Sequence, residues 1–320
     1  MSKKKYKCFV SGGAGLIGLE ICNLLIHKGH DVYLYDLGEQ IERNKRYINR
    51  KIKIFYGSIL DLHSLKKAIN DCDYVFHHAA MLGVKYTEDN KLDCLEINST
   101  GTKNVLQASL GSKVKKVIFA SSSEVYGEPI KNPINEKFQT QGKTIYGISK
   151  LMGEEYCKSY YQKYNLNYTV LRYFNTYGAY QEKKFVIQNF INDSMNYNKI
   201  IINGNGNQIR SYMYVSDAAE ATIAAAFSNK TNNKIFNIGN GKNPITLKQL
   251  ANLVKKIVKK NQVKIIFKKK FNNTDRSLDR EIFYRYCNSS KFQKLIKWQP
   301  KINLEMGIEK ILKNYYANKN

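Results

Sequence analysis

Tyr146 and Lys150 have the residue types and spacing for acid–base chemistry in this 320-residue chain. They are four positions apart in Tyr146-Gly147-Ile148-Ser149-Lys150, and on a helix this spacing places both side chains on one face. The ammonium group can then lie below the phenol and lower its pKa from about 10 towards neutrality. Such a phenolate is a general base that takes a proton from a substrate hydroxyl while hydride leaves the same carbon for a nicotinamide.

A serine cluster, Ser121-Ser122-Ser123, stands directly before Glu124 and after the apolar run Val117–Ala120. A serine hydroxyl at this point could hydrogen-bond the substrate oxygen that the tyrosine deprotonates. Capping of backbone groups explains one serine better than three serines followed by an acid. With 24 tyrosines and many lysines, chance Tyr-x-x-x-Lys matches are frequent, so the place of Tyr146 after this cluster is what supports a catalytic interpretation.

Three glycines, Gly12, Gly15 and Gly18, follow the apolar run Cys8–Val10 and surround the start of an amphipathic segment at Leu16-Ile17. This pattern predicts a strand, a tight turn and a helix. In such a turn the glycines permit the reversal of the chain, the approach of a pyrophosphate and the close packing of helix on strand. The free N–H groups of the helix start would bind the phosphates. An ordinary glycine turn is the alternative, but the expected context is present.

Asp36 closes a second apolar run, Asp31–Tyr35, roughly 20 residues after the glycines, where a carboxylate accepts hydrogen bonds from an adenosine ribose. The same charge would repel a 2′-phosphate, so the sequence favours NAD over NADP as the cofactor. After a further run, Tyr74–Phe76, the small residues Ala79 and Ala80 would let a loop pass close to this cofactor.

Apolar strands alternate with helical patterns up to about residue 180, which predicts an α/β fold with a doubly wound parallel sheet of the Rossmann type. Ligands of such sheets bind beyond the carboxyl ends of the strands, where the motifs above fall. The predicted strands are Lys7–Val10, Asp31–Tyr35, Ile52–Tyr56, Tyr74–Phe76, Lys116–Ala120 and Tyr168–Arg172. The predicted helices lie near 16–28, 61–70, 88–110 and 143–164.

Beyond residue 180 the alternation loosens, and we expect a smaller C-terminal α/β lobe. The division is thus a domain of residues 1–180 and a lobe of residues 181–320, with chain crossovers between the two. The lobe's predicted strands are Lys199–Ile202, Tyr212–Val215, Ile235–Ile238 and Val263–Phe267. Its predicted helices are Phe185–Tyr197, one from Asp217, Leu247–Lys259, and two near Ser289–Ile296 and Leu304–Tyr316.

The formal net charge is +26, from 52 Lys and Arg against 26 Asp and Glu, which raises the question of nucleic acid or an anionic membrane. The lysines are scattered along the whole chain, and only short clusters such as Lys268-Lys269-Lys270 stand out. We therefore expect a solvated basic surface that attracts an anionic substrate, and neither a nucleic-acid nor a membrane partner.

The six cysteines show no paired spacing and are typical of reduced core residues in a cytoplasmic protein. The five histidines, including the pair His77-His78, form no metal-ligand pattern with them, so no metal and no catalytic histidine are expected. The N-terminal Lys3–Lys5 lacks the apolar stretch of about 7–15 residues that marks a signal peptide. No later run approaches the length of about 20 apolar residues that spans a membrane.

With these motifs in this order, the chain resembles the extended short-chain dehydrogenase/reductases, specifically the NAD-dependent nucleotide-sugar epimerases and dehydratases. The resemblance covers essentially the whole length. Further matching stretches are Glu96–Thr102 with Asn98, Leu171–Gly178, Arg210–Asp217 and Trp298–Pro300.

The resemblance implies that Ser122 and Tyr146 are the catalytic pair and that Lys150 holds the nicotinamide ribose and tunes the tyrosine. Arg210 is implied as one ligand of the substrate's diphosphate. Of the two arginines in Asp275–Arg280, Arg280 rather than Arg276 is assigned as the second ligand. Ser58 stands where many relatives carry an acidic residue that contacts the adenine. Asp61 would partly replace this missing acid. The implied NAD-binding residues are Gly12, Gly15, Leu16, Ile17, Gly18, Asp36, Ser58, Ile59, Ala79, Ala80, Tyr146, Lys150 and Tyr173. The implied residues for the sugar nucleotide, bound by the C-terminal lobe, are Val84, Lys85, Ser123, Asn175, Arg210 and Arg280.

Members of this family oxidise C4 of the sugar to a 4-keto intermediate and then diverge into epimerases, 4,6-dehydratases and decarboxylases. Ser122-Ser123-Glu124 resembles the Thr-Ser-Glu of UDP-glucuronate decarboxylases and GDP-mannose dehydratases, which makes Glu124 a candidate catalytic base at C5. The dehydratases of deoxythymidine-linked glucose carry an acidic residue at the position that Ser123 occupies in this chain. The absence of an acid at this position argues against that subgroup.

Conversely, Ala79–Tyr86 resembles the Gly-Val-Arg-Tyr loop of UDP-glucuronate 4-epimerases, and Tyr173-Phe174-Asn175 is epimerase-like. Lys85 of this loop could face a sugar carboxylate, although a solvent-facing lysine is the more common case in so basic a chain. A UDP-sugar 4-epimerase is therefore favoured over a 4,6-dehydratase or a UDP-glucuronate decarboxylase. A non-catalytic NAD-dependent binding protein is a remote alternative, because both Tyr146 and Lys150 are intact. The resemblance also implies a homodimer, paired through the helices near 88–110 and 143–164.

Overall fold

Seven strands build the central sheet of the computed structural model, which describes residues 4–268 and 281–317. They are β1 (Lys7–Ser11), β2 (Asp31–Asp36), β3 (Lys53–Tyr56), β4 (Tyr74–His77), β5 (Lys116–Ser122), β6 (Tyr168–Tyr173) and β11 (Lys234–Ile238). Their order in space is β11-β6-β5-β4-β1-β2-β3, and every neighbouring pair is parallel. The predicted doubly wound Rossmann-type sheet is confirmed.

The register of these pairings brings the carboxyl ends of the strands together. Ser11 pairs with Tyr35 and with His77, and Ser122 pairs with Tyr173. The segments that follow β1, β2, β4, β5 and β6 therefore leave the sheet along one edge. The glycine turn, the serine cluster and the loop after β4 all emerge there.

Helices cover both faces of the sheet. On one face, α1 packs against α9 over an apolar cluster that includes Leu19, Leu34 and Phe236. On the other face, α3, α6 and α7 enclose a second cluster that includes Phe9, Val105 and Phe119. These helices are α1 (Leu16–His27), α2 (Gly38–Asn44), α3 (Leu62–Ile69), α4 (Val84–Asp89), α5 (Lys91–Leu95), α6 (Gly101–Leu110), α7 (Ile145–Tyr164) and α9 (Val215–Phe227).

The single helix predicted near 88–110 consists of three helices, α4, α5 and α6, with a π-helical turn at Glu96–Thr100 between the last two. The strand predicted over Tyr212–Val215 is shorter, because Val215 already begins α9. The sequence analysis also missed α2, a helix of 7 residues directly after Asp36.

A third apolar cluster, with Phe190, Ile202 and Val254 among its members, lies beneath the elements of the C-terminal part of the chain. Two elements from beyond residue 180, α9 and β11, return to the main sheet, where β11 forms its edge beside β6. The other strands are β7 (Thr176–Tyr177), β8 (Lys199–Asn203), β9 (Ile209–Arg210), β10 (Met213–Tyr214), β12 (Ile245–Thr246), β13 (Lys264–Lys268) and β14 (Tyr284–Arg285). The other helices are α8 (Val186–Tyr197), α10 (Leu247–Val258), α11 (Ser290–Ile296) and α12 (Leu304–Ala317).

Candidate active site

Ser122, Tyr146 and Lys150 meet at the carboxyl end of β5. The hydroxyl of Thr144 caps α7 by accepting a hydrogen bond from the Gly147 N–H at 3.0 Å, which places Tyr146 in the first turn. Ser122 ends β5, and its hydroxyl lies near enough to the Tyr146 phenol to lower the pKa of that phenol. The Nζ atom of Lys150 lies 5.7 Å from the centroid of the Tyr146 ring. The structure therefore brings three of the four predicted catalytic side chains together.

The expected lowering of the Tyr146 pKa is wrong for the protein chain. Burial raises the pKa of Tyr146, the negative charge of Glu124 adds to this effect, and the nearby Ser122 hydroxyl opposes it. Burial also lowers the pKa of Lys150 from 10.5 to about 8, so this lysine keeps most of its positive charge at neutral pH but loses it above about pH 8. Sequence spacing showed that the two groups could approach, but it carried no information about how deeply they are buried.

Asn98 supports the catalytic helix from the π-helical turn. Its side-chain oxygen accepts a hydrogen bond from the Met81 N–H at 2.8 Å, and its amide group donates to the Met81 carbonyl at 3.1 Å. The same amide group donates to the Ser149 hydroxyl of α7 at 2.9 Å. The buried Asn98 thus joins the loop after β4 to the helix that carries Tyr146 and Lys150, and π-helical turns of this kind are frequent at functional sites.

Glu124 is buried in a short 3-10 helix directly after β5 and forms an ion pair with Arg285 of β14. The Arg285 Nη1 donates to a Glu124 carboxylate oxygen at 2.5 Å, and the Thr144 hydroxyl donates to the other oxygen at 3.5 Å. This carboxylate is held by a cation rather than presented as an unpaired base. The sequence analysis missed Arg285, because 161 positions separate the two residues and no local pattern connects them.

The glycine turn forms a close-fitting cradle after β1. A Cβ atom on Gly12, whose φ is +68°, would lie 2.4 Å from the backbone nitrogen of Ala79, and one on Gly18 would lie 2.1 Å from the Gly12 carbonyl oxygen. The loop that contains Ala79 therefore packs directly against the glycine turn. Asp36 ends β2, and its carboxylate accepts a hydrogen bond from the Ala14 N–H of the turn at 2.9 Å. A backbone cradle beside a carboxylate fits the pyrophosphate and ribose of NAD.

The other predicted cofactor residues flank this cradle. Leu16 and Ile17 begin α1 and are half-buried, as is Ala80 of the loop after β4, and Gly15 precedes the helix as its N-cap. Ile59 is buried against Gly101.

Ser58 and Asp61 both form hydrogen bonds with backbone groups near the start of α3. The Ser58 hydroxyl accepts a hydrogen bond from the Leu60 N–H at 3.2 Å. The Asp61 carboxylate caps α3 by accepting from the Ser64 N–H at 3.0 Å. Its position is explained by this cap.

Tyr173 and the two histidines lie in the sheet beneath the cradle. His77 is bonded at both ring nitrogens, to the Ser11 hydroxyl at 2.7 Å and to Thr102 at 3.0 Å. The Tyr173 hydroxyl lies 2.6 Å from the Thr222 hydroxyl and 3.2 Å from the His78 ring. Burial lowers the pKa of His77 far below its usual value and that of His78 to about 3, so both rings are neutral.

The predicted substrate residues are spread over several segments. Asn175 adopts φ +37° and donates to the Ser211 carbonyl at 2.9 Å, and Ser123 is buried after β5. Arg210 is ion-paired with Glu281 at 3.0 Å. Val84 begins α4, Lys85 is exposed in the same helix, and Arg276 and Arg280 lie outside the described residues.

Four buried polar atoms in the stretches around Asn175, Arg210 and Arg285 have no hydrogen-bond partner among the described residues. Because buried polar groups are nearly always paired, such atoms mark positions where a ligand could supply the partner. The sequence analysis singled out the stretches around Asn175 and Arg210 but not these neighbours. They are Thr176 Oγ1, Gln208 Oε1, Ser211 Oγ and Arg285 Nε.

Within residues 4–268 and 281–317, no cluster of three or more His, Cys, Asp or Glu side chains could hold a metal ion. All six cysteines are buried free thiols. In the same part of the chain, no helix has the length and apolar character needed to cross a membrane.

The family of NAD dependent epimerases/dehydratases matches residues 8–239. The chain is 34% identical over 317 residues to a putative UDP-glucose 4-epimerase of Methanocaldococcus jannaschii, covering 97% of this chain and 98% of that protein. It is 33% identical over 319 residues to a UDP-N-acetyl-alpha-D-glucosaminuronate decarboxylase of Bacillus cytotoxicus, covering 96% and 97%.

Solved structures agree with this assignment. The UDP-glucose 4-epimerase of Thermotoga maritima with UDP-glucose superposes with a TM-score of 0.89 at 29% identity, covering 98% of this chain and all of that one. The UDP-glucuronic acid 4-epimerase of Bacillus cereus, in complex with UDP-glucuronic acid and NAD, superposes with a TM-score of 0.87 at 26% identity. The match covers 98% of this chain and 99% of that one. The predicted family and the predicted cofactor NAD are confirmed. The chain belongs to the NAD-dependent epimerase/dehydratase family, within the extended short-chain dehydrogenase/reductases, and is an NAD-dependent enzyme.

Proposed function

We propose that the protein is a UDP-sugar 4-epimerase. The observation that carries this proposal is the meeting of Ser122, Tyr146 and Lys150 beside the NAD cradle, with Glu124 held by Arg285. The first three side chains suffice for oxidation and reduction at C4. The ion pair leaves Glu124 poorly suited to remove a proton from C5, because a hydrogen-bonded carboxylate with a cationic partner is a weak base.

NAD, when bound, supplies the hydride acceptor and donor for C4 of the sugar. Tyr146 takes the proton of the C4 hydroxyl as hydride leaves and returns it when the opposite face of the 4-keto sugar is reduced. Ser122 hydrogen-bonds the same oxygen and holds it in line with the phenol. Lys150 holds the nicotinamide ribose, and Asp36 holds the adenosine ribose, beside the turn formed by Gly12, Gly15 and Gly18.

The sugar nucleotide is proposed to lie between the sheet edge and the C-terminal lobe, residues 181–320. Asn175 and Arg210 stand on the two segments that face each other there, joined by the hydrogen bond to the Ser211 carbonyl. The unpaired Gln208 and Ser211 atoms support a polar ligand at this place. Val84, Lys85, Ser123 and Arg280 complete the proposed substrate contacts.

Product analysis tests this function. The purified enzyme would be incubated with UDP-glucose, UDP-glucuronate and their N-acetylated counterparts, together with GDP-, CDP- and deoxythymidine-linked sugars. Mass spectrometry and NMR then show what forms. The proposal predicts a product of unchanged mass with inverted C4 from a UDP-linked sugar. Absence of such a product from every UDP-sugar would reject it.

A second candidate, decarboxylation of a UDP-hexuronate, is favoured by the same ion pair. Loss of carbon dioxide from a 4-keto uronate needs no base: the electron pair of the broken C5–C6 bond forms a C4–C5 enolate, which then takes a proton from water at C5. The buried Arg285 cation beside Glu124 would stabilise the negative charge of this enolate. A relative of this chain at 33% identity is a decarboxylase. A product lighter by one carbon dioxide, formed from a uronate only, would establish this reaction in place of epimerisation.

We further propose a homodimer built through α4–α7. Large apolar side chains are exposed on three of these helices, α4, α5 and α7, and a second subunit that packed there would cover them. Sedimentation equilibrium should give twice the mass of one chain. A monomer at all concentrations would contradict this. The exposed residues and fractions are Leu92 at 81%, Tyr86 at 57%, Met152 at 47% and Ile148 at 44%.

The cellular setting is proposed to be the cytoplasm, because the six buried thiols suit a reducing compartment.

The basic surface is proposed to attract the anionic sugar nucleotide rather than nucleic acid or membrane. Retention on immobilised nucleic acid at physiological salt would contradict this interpretation.

A further inference from the structure

Arg172 and Glu154 form a buried ion pair that the proposed mechanism does not use. The Arg172 Nε lies 2.9 Å from one Glu154 oxygen, and its Nη2 lies 2.7 Å from the other. The side chains are only 6% and 1% exposed. Two parallel charge-assisted bonds of this kind fix both the distance and the orientation of the two elements that carry them.

The two elements are the catalytic helix α7 and strand β6. Glu154 lies one helical turn after Lys150, so it belongs to the same face of α7. The Ser121 hydroxyl donates to a Glu154 oxygen at 2.5 Å, and Ser121 directly precedes Ser122 on β5. The carboxylate is therefore bonded to the strand that presents the catalytic serine and lies on the helix that presents the catalytic tyrosine.

Packing leaves α7 little freedom to slide along β5. A Cβ atom on Gly153 would lie 2.3 Å from the Phe119 ring, so the helix backbone sits directly on that ring. Lys150 Nζ lies 5.1 Å from the centroid of the same ring. The hydrogen bonds of Glu154 thus hold α7 at the position along β5 where Gly153 contacts the Phe119 ring.

The network continues into the turn after the serine cluster. Arg172 Nη1 donates to the Tyr126 hydroxyl at 2.9 Å, and that hydroxyl donates to Asn237 of β11 at 2.7 Å. Tyr126 belongs to the short 3-10 helix that carries Glu124. Arg172 of β6 therefore contacts both α7, which carries Tyr146, and the short helix that directly follows Ser122.

We propose that Glu154 and Arg172 are positioning residues for hydride transfer, which hold Tyr146 and Lys150 of α7 in register with Ser122 of β5. Stability alone does not account for the pair, because a buried ion pair can often be replaced by apolar residues without loss of stability. The inference rests on the C4-oxidation step of the proposed function and not on whether epimerisation follows.

The test uses Glu154→Gln, which keeps an acceptor for Ser121 but loses the charge and one of the two bonds to Arg172. The full-length enzyme with bound NAD is mixed with UDP-glucose and with UDP-glucuronate, and formation of bound NADH is followed by absorbance in a single turnover. We expect the rate to fall about 10- to 100-fold, since small misplacements of reacting groups have effects of this size. The NAD content and the dissociation constant for UDP should change less than about twofold, because the binding residues are untouched.

Two further variants keep the outcome interpretable if Glu154→Gln folds poorly. Ser121→Ala leaves the ion pair intact and removes one hydrogen bond, and it should slow the same step about fivefold. Arg172→Lys keeps the charge but cannot donate two parallel bonds, and it should be as slow as Glu154→Gln.

Asp73→Asn is the matched control. Asp73 accepts a hydrogen bond from the Lys7 N–H at 3.0 Å and forms an ion pair with Lys115, at the amino ends of the strands and so at the end opposite to the site. This variant should therefore lose stability without slowing NADH formation. Glu154→Gln and Ser121→Ala with the parent rate per folded, NAD-loaded molecule would overturn the positioning role. If the parent itself formed no NADH and no product with any sugar nucleotide, the proposed function would fail instead.

Discussion

Arg285 donates a hydrogen bond of 2.5 Å to Glu124 and thereby joins β14 to the turn that follows Ser122. The ion pair is buried, and the negative charge of Glu124 raises the pKa of the Tyr146 phenol. A residue from the far end of the chain therefore bears on the protonation of the proposed base. It does so through a carboxylate that the epimerase mechanism does not use as a base.

Glu124→Gln should shift the pH–rate profile of the first hydride transfer to lower pH. Removal of the carboxylate charge removes a cause that raises the Tyr146 pKa, and the unpaired Arg285 cation acts in the same direction. The reactive phenolate then forms at lower pH. The profile of single-turnover NADH formation measures this shift. An unchanged profile would show that Glu124 does not influence Tyr146, and loss of all activity at every pH would indicate chemistry at Glu124 itself.

Tyr146→Phe should retain NAD and UDP-sugar binding while hydride transfer falls by about 100- to 10,000-fold, the usual contribution of a positioned acid or base. Only the phenolic oxygen is removed, so the half-buried ring keeps its packing. Titration calorimetry with UDP and the absorbance of bound NADH separate the two effects. Ile148→Val, an exposed change in the same helix, is the matched control and should keep the parent rate.

Lys150→Met should stabilise the fold while abolishing most activity. Burial lowers the Lys150 pKa from 10.5 to about 8, so at neutral pH the folded protein carries a cation that burial disfavours. A shift of this size corresponds to about 3 kcal/mol of stability gained on its replacement.

The pH dependence of the difference between parent and variant has a definite sign. Between about pH 8 and pH 10 the unfolded chain binds more protons at this lysine than the folded chain, so the destabilising contribution of Lys150 shrinks as pH rises. The other buried groups, Lys116 with its pKa lowered to about 8 and the six thiols with raised pKa values, are common to both proteins, so the stability of Lys150→Met should fall relative to that of the parent as pH rises. Urea unfolding at about pH 7 and about pH 9 measures both slopes. A variant less stable than the parent at neutral pH would contradict the burial account.

Gly18→Ala should abolish NAD retention and destabilise the fold, since the added Cβ would lie 2.1 Å from the Gly12 carbonyl oxygen and 2.9 Å from the Gly13 Cα. The turn must deform to accept it. Gly111→Ala is the control, because nothing lies within 4 Å of a Cβ at that position. NAD content after gel filtration and thermal unfolding are the measurements. Full NAD retention in Gly18→Ala would show that the turn is not the cofactor cradle.

Much of this site could be predicted from the sequence because its signals are local. The glycine turn, Asp36 and the Tyr146/Lys150 spacing each lie within one strand, turn or helix, and the parallel sheet then brings strand ends together. The missing features are non-local or depend on burial. Arg285 reaches Glu124 across 161 positions, and the direction of the Tyr146 pKa shift depends on desolvation that spacing does not encode.

The π-helical turn at Glu96–Thr100 shows a third limit. The sequence pattern there is helical throughout, so one long helix was predicted. The extra residue per turn places the Asn98 side chain against Met81 and Ser149, and that arrangement depends on tertiary hydrogen bonds rather than on helix propensity.

In the proposed epimerisation, hydride leaves C4 and returns to the same carbon on its opposite face. The most direct measurement uses the UDP-sugar substrate carrying deuterium at C4, with the product examined by NMR and mass spectrometry. We expect a product of unchanged mass that has inverted C4 and retains deuterium at that carbon, with no exchange from solvent. A product that has lost water or carbon dioxide, or that has exchanged its C4 deuterium with solvent, would contradict it.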